Sequence, residues 1–118
     1  MKKIIIIDDD IINLKSISIN LKLRNYLIFE SNNGKKGLEI IKKELPNLII
    51  CDLYMPSLNC IELIEEMRRN SLNIPIIIIS DNDSSEQIKK VINAGSSSYF
   101  KKPFDLELLI TKAESLVK

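Results

Sequence analysis

The residues with chemical potential in this chain lie just after short apolar runs. Ile4-Ile5-Ile6-Ile7 ends in Asp8-Asp9-Asp10, and Leu48-Ile49-Ile50-Cys51 ends in Asp52, followed by Leu53-Tyr54-Met55-Pro56. Ile76 to Ile79 ends in Ser80-Asp81, and Tyr99-Phe100 is followed by Lys101-Lys102-Pro103-Phe104. Two carboxylates about 4 Å apart repel by roughly 4 kcal/mol at an effective dielectric of 20. Folding alone gives no reason to collect Asp8, Asp9 and Asp52 in one crevice. A hard divalent cation does, and a ligand set made only of oxygen points to Mg²⁺. Tyr54 would add its backbone carbonyl to that set. With a cation present, Asp52 could attack a phosphoryl group and become an acyl phosphate. The Lys102 ammonium and the Ser80 hydroxyl would then neutralise or hydrogen-bond the phosphoryl oxygens.

Each of these residues also has a plainer reading. Asp is common at strand ends and before helices, and Asp10 fits best as a helix cap or first-turn acid. Serine at a strand end is ordinary turn chemistry. Lys101 reads as a solvated lysine. Lys102 differs because it directly precedes Pro103, where a cis bond would turn the chain sharply and could aim the lysine inward.

For these residues to meet, the apolar runs must be neighbouring strands with their carboxyl ends together. The runs are rich in β-branched residues and do not alternate with polar ones, which indicates strands buried on both faces, as in a parallel sheet. A further run covers Tyr26 to Phe29. Between the runs, apolar residues recur at helical spacing. Ile12, Ile19 and Leu23 form one row with Leu14, Ile17 and Leu21 beside it; later rows hold Leu38, Ile41 and Leu45, then Ile61, Ile64 and Met67. Ile88 and Ile92 fall in a fourth helix, and Leu106, Leu109 and Leu116 in a fifth. Ser31-Asn32-Asn33-Gly34 and Pro46-Asn47 read as turns, and Gly95 as a left-handed residue past a helix end. The order is β-α repeated five times. With right-handed crossovers this gives a doubly wound, flavodoxin-like α/β fold: a five-stranded parallel sheet, order 2-1-3-4-5, flanked by five helices. In such sheets ligands sit outside the carboxyl ends of the strands.

Composition narrows the alternatives. At 118 residues the chain has room for one domain. It is 45% hydrophobic and 28% charged, which excludes a disordered tail. A formal net charge of +1 gives no electrostatic case for nucleic acid or a membrane surface. The absence of His removes His-based triads and His-ligated zinc. Cys51 and Cys60 match no zinc spacing and read as buried thiols in a reducing compartment. The Ile4 run is too short for a signal peptide or a membrane span. The sequence therefore reads as soluble and cytoplasmic.

Taken in order, these motifs resemble the receiver domain of two-component response regulators (CheY-like). The resemblance rests on Ile4 to Asp9, Leu48 to Pro56, Ile76 to Ser80, and Tyr99 with Lys102-Pro103-Phe104, and it covers 1–118 as one response regulatory domain. It implies Asp52 as phosphoacceptor and a Mg²⁺ site at Asp8, Asp9, Asp52 and the Tyr54 carbonyl. Asp9 would bind the ion directly and Asp8 largely through water. Ser80 would be the switch hydroxyl, Tyr99 the aromatic whose rotamer follows it, and Lys102 the site lysine. The donor would be a phosphohistidine on a sensor histidine kinase or phosphotransfer protein. Phosphorylation would switch the surface of the fourth helix, fifth strand and fifth helix, with a phosphorylation-dependent homodimer as one outcome. Such a domain is a signalling phosphoacceptor and not an enzyme, catalysing only its own phosphorylation and slow autodephosphorylation. The output domain or target is not specified, and the chain could stand alone or open a longer regulator.

Three positions depart from the family pattern. Cys60 replaces the usual glycine after the Met-Pro segment, Asp81 replaces a small residue after the switch serine, and Ser98 precedes Tyr99. Cys60 bears on the loop conformation and Asp81 on the phosphorylation rate. The competing enzyme reading is a haloacid-dehalogenase-type phosphatase with Asp8 as nucleophile and Asp10 as acid/base. It needs a later acidic pair and a cap insertion that are not evident, and it leaves Asp52 to Pro56 unexplained.

Overall fold

The computed structural model describes residues 1–81 and 84–117. Its elements alternate strictly: β1 (Lys3–Ile7), α1 (Ile11–Lys22), β2 (Leu27–Ser31), α2 (Gly34–Glu44), β3 (Leu48–Asp52), α3 (Cys60–Arg69), β4 (Ile76–Ser80), α4 (Ser85–Ala94), β5 (Ser98–Lys101) and α5 (Leu106–Leu116). All strand pairs are parallel, and the sheet order is β2-β1-β3-β4-β5, as the repeat pattern predicts.

The isoleucine runs become strands because both sheet faces are covered. Ile4, Ile6, Leu48, Ile50, Ile77 and Ile79 face one layer, where Leu14, Ile17 and Leu21 of α1 meet Leu109, Ile110 and Ala113 of α5. Ile5, Ile7, Ile49, Cys51, Ile76 and Ile78 face the other, against Ile41 of α2, Leu63, Ile64 and Met67 of α3, and Val91 of α4. Each fully buried Ile or Leu contributes about 1.5–3 kcal/mol of transfer free energy. Every residue of β3 and β4 is buried, whereas the edge strands β2 and β5 are only partly covered. The two-faced burial read from the sequence therefore holds for the middle of the sheet and relaxes at its edges.

Helix starts carry their own signals. Asp10 caps α1 through the Ile12 and Asn13 amides, and Asn33 caps α2 through the Lys36 amide. Asn59 and Glu62 form a reciprocal capping box on α3, and Asp105 caps α5. Gly95 has φ +114°, the left-handed end expected after α4.

In α1 the structure separates two apolar rows that the sequence leaves equivalent. Leu14, Ile17 and Leu21 are buried, while Ile12, Ile19 and Leu23 are 77%, 56% and 76% exposed. Leu45 and Ile92, also read as stripe residues, are exposed as well. Leu45 has left the helix, ending α2 at φ 49°.

Candidate phosphoacceptor and metal site

The strand register assembles the site. Ile7 pairs with Cys51 across β1 and β3, so the next residues, Asp8 and Asp52, emerge side by side. On the other flank Asp52 pairs with Ile79 and Ser80 with Lys101, which brings the end of β4 and the β5–α5 turn to the same edge. One carboxylate oxygen from each of Asp8, Asp9 and Asp52 lies within 4.8 Å of the others. Asp8 and Asp52 are buried and Asp9 is exposed, so the cluster opens to solvent on the Asp9 side.

Lys102 closes the opposite side. Its Nζ donates to Asp52 Oδ2 at 3.1 Å and stands 3.7 Å from Asp8 Oδ2. The Lys102–Pro103 bond is cis, and the Lys102 amide donates to the Ser80 carbonyl at 2.7 Å. Burial alone would lower the Lys102 pKa. The Asp52 hydrogen bond and the charges of Asp52, Asp8 and Asp10 outweigh it, and the ammonium is held above its usual range.

Asp8 is the strained member. Its Oδ1 accepts the Asp10 amide at 2.9 Å, while its Oδ2 is buried without a hydrogen-bond donor. Burial raises its pKa from 3.8 to about 6; the Asp10 amide opposes this, the Asp52 charge adds to it, and Lys102 opposes it. A buried, under-satisfied carboxylate oxygen facing two other acids is the position a divalent cation would fill. The donor set is all oxygen, which suits Mg²⁺. On these grounds the residues fit a metal.

The remaining sequence-derived candidates fall as follows. Ser80 ends β4 and is buried; Tyr99, on β5, is half-buried against the α3–α4 layer. Tyr54 lies two residues past Asp52, its side chain about half exposed. Asp10 takes the capping role expected of it. Cys60 opens α3, fully buried, with its amide bonded to the Leu53 carbonyl at 3.1 Å. The left-handed residue of this loop is Ser57, φ 72°, so a side chain at Cys60 is compatible with the turn. Burial, then the adjacent Cys60 thiol, pushes the Cys51 thiol well above its usual range, which keeps it protonated and inert. Sequence reasoning missed the Asp10 main-chain amide that anchors Asp8, because a backbone donor leaves no mark in residue type. It also missed the close approach of α2 to the loop after β3. The Gly34 amide donates to the Pro56 carbonyl, and a Cβ at Gly34 would stand 1.8 Å from the Leu58 carbonyl oxygen.

Comparison with known proteins agrees with the fold that carries these residues. Residues 4–114 match the family model described as the response regulator receiver domain. Among curated relatives, the transcriptional regulatory protein CrdR of Helicobacter pylori is 34% identical over 92% of this chain and 51% of its own length. Response regulator MprA of Mycobacterium leprae is 28% identical over 98% of this chain and 51% of its own. The chain thus spans about half the length of these relatives. Among solved structures, the Francisella response regulator 1452 receiver domain superposes with TM-score 0.93 at 29% identity, covering 99% of this chain and 97% of that one. A CheY-like receiver domain protein from Methanospirillum hungatei gives 0.90 at 28%, covering 98% and 92%. The phosphatase alternative finds no support among these relatives. With residues 4–114 matched by that family model and the whole chain superposing on receiver-domain folds, the chain belongs to the response regulator receiver domain family.

Proposed function

We propose that the domain, taken as residues 1–118, receives a phosphoryl group on Asp52 from a phosphohistidine of a sensor histidine kinase or phosphotransfer protein. The observation that carries this reading is the single hydrogen bond from Lys102 to Asp52, in a crevice where Asp8 and Asp9 complete an oxygen donor set. Asp8, Asp9, Asp52 and the Tyr54 carbonyl would hold Mg²⁺. When bound, the ion supplies positive charge to the phosphoryl oxygens in the transition state.

The chain's own residues do the rest. Asp52 Oδ attacks phosphorus as the P–N bond to the donor imidazole breaks, and the imidazole leaves with the electron pair and takes a proton. The product is an acyl phosphate on Asp52. Lys102 orients the Asp52 carboxylate before attack and offers its ammonium to the transferred group afterwards. Ser80, at the end of the neighbouring strand, closes its hydroxyl on a phosphoryl oxygen. Tyr99 follows that movement, and the α4-β5-α5 surface changes its population of conformers. A homodimer through that surface, and an output domain or separate target reading it, complete the proposal. In this role the domain promotes only its own phosphorylation and slow dephosphorylation.

The exposed Ile11, Ile12 and Ile19 support a protein donor, because they give α1 an uncovered apolar face beginning one residue after Asp10. No helix among the described residues is long and apolar enough to cross a membrane. Acetyl phosphate with Mg²⁺ tests the acceptor. Labelling of Asp52 is expected, and labelling of Asp8 or of a serine would contradict the reading.

A further inference from the structure

Asp81 directly follows Ser80 at the end of β4, and its side chain is exposed. Among the described residues it takes part in no hydrogen bond or ion pair. It lines an open cleft of about 480 Å³ together with Lys102, Phe104 and Asn13. Lys102 in the wall of that cleft is the same lysine whose ammonium touches Asp52. A donor that brings its phosphoryl group to the Asp52–Lys102 pair therefore brings its charge near Asp81. Asp8, Asp9 and Asp52 would be balanced in charge by Lys102 and a bound divalent cation together. Asp81 has no such counterpart among the described residues, so it adds an uncompensated negative charge to the rim beside that of Asp10.

We infer that Asp81 is a specificity residue that selects phosphodonors by charge, disfavouring free polyanionic donors and tolerating a donor that is less negative or that presents a cation beside its phosphoryl group. This rests on the phosphoacceptor reading of Asp52. The effect is electrostatic: like charge near the path lowers the encounter and bound populations of an anion, and raises those of a cation. Two charges some 10 Å apart in water interact weakly, so the expected changes are small and sensitive to salt.

The experiment compares the wild-type domain with Asp81→Asn, which keeps the size of the side chain and removes its charge. At low ionic strength the variant should be phosphorylated about 3-fold faster by acetyl phosphate, a dianion, and less than about 2-fold faster by phosphoramidate, a monoanion. The difference should collapse at 0.5 M salt. Without any donor, the same variant should bind Mg²⁺ about 2- to 3-fold more weakly, because removing a negative charge acts with opposite sign on a cation. A residue serving only to cap or pack would not move the two ligands in opposite directions. Equal acceleration by both donors, no acceleration, or unchanged Mg²⁺ affinity would overturn the inference while leaving Asp52 as acceptor. Failure of either protein to be labelled at Asp52 by either donor would overturn the acceptor reading, and this inference with it.

Discussion

Lys102 Nζ stands 3.1 Å from Asp52 Oδ2 and 3.7 Å from Asp8 Oδ2, bridging the ends of β1 and β3 from the turn after β5. Residues far apart in sequence thus share one ammonium between two buried carboxylates. Lys102→Met should remove that bridge and leave the acids facing each other. The metal-free variant should lose about 2 kcal/mol by urea unfolding, less than a fully buried pair would cost because the Lys102 side chain is 19% exposed. Mg²⁺ should recover part of the loss, and phosphorylation of Asp52 should slow by at least about 100-fold. Wild-type stability and rate in this variant would show the bridge to be incidental.

Asp8 makes the metal-free fold sensitive to pH. Its pKa is raised from 3.8 to about 6, chiefly by burial. Below about pH 4 it is protonated in both folded and unfolded chains. As pH rises from 4 to 6, the unfolded chain ionises first, so the fold loses stability. The loss amounts to on the order of 2–3 kcal/mol and is complete above pH 6 to 7. Asp52→Asn removes one of the charges that raise this pKa, so the Asp8 titration should move down while burial keeps it above 3.8. Carbon-detected NMR titration of the carboxyl groups checks both statements. An Asp8 titration near 4 in the wild-type protein would contradict them.

Mg²⁺ should reverse that penalty. At about 100-fold excess over Kd, a ligand specific to the folded state adds about 2.7 kcal/mol. The Mg²⁺-induced rise in melting temperature should shrink as pH falls below 6, because a proton on Asp8 competes with the ion. An Mg²⁺ effect of constant size between pH 5 and 8 would place the ion away from Asp8.

The fold was legible largely because isoleucine runs with no polar alternation suit a buried parallel sheet, and each ends in the residue that matters. Right-handed crossovers leave few doubly wound orders, and the common order 2-1-3-4-5 is the one that brings Asp8, Asp9 and Asp52 together. What could not be read depends on neighbours. Both rows of α1 are apolar, so nothing local shows that Leu14, Ile17 and Leu21 face the sheet rather than Ile12, Ile19 and Leu23. The partial exposure of β2 and β5 follows from their edge positions, not their composition. The Asp10 amide on Asp8, and the Gly34 backbone against Leu58, are main-chain contacts that residue type does not record.

The two rows of α1 make opposite predictions. Ile17→Ala removes buried volume from the layer between α1 and α5 and should cost about 2–5 kcal/mol. Ile12→Ser should change stability by no more than about 0.5 kcal/mol. Ile12→Ser should nevertheless slow phosphotransfer from a protein donor while leaving acetyl phosphate labelling unchanged. Denaturant unfolding and the two phosphorylation assays separate these effects.

Gly34→Ala tests the seam between α2 and the loop carrying Tyr54. A Cβ there meets the Leu58 carbonyl oxygen at 1.8 Å, backbone that must move to make room. Overpacking of this kind costs about 1–3 kcal/mol. Amide chemical-shift changes should reach Leu53 to Asn59. Changes confined to α2 would show the seam to be loosely packed.

The central claim is that Asp52 is the residue that takes the phosphoryl group. Its most direct measurement is to treat the domain with acetyl phosphate and Mg²⁺, reduce the acyl phosphate with borohydride, and locate the resulting homoserine by peptide mass spectrometry. The account predicts homoserine at position 52, none in Asp52→Asn, and none when Mg²⁺ is chelated. Modification at Asp8 or Asp9 in the wild-type protein, or none at all, would contradict it.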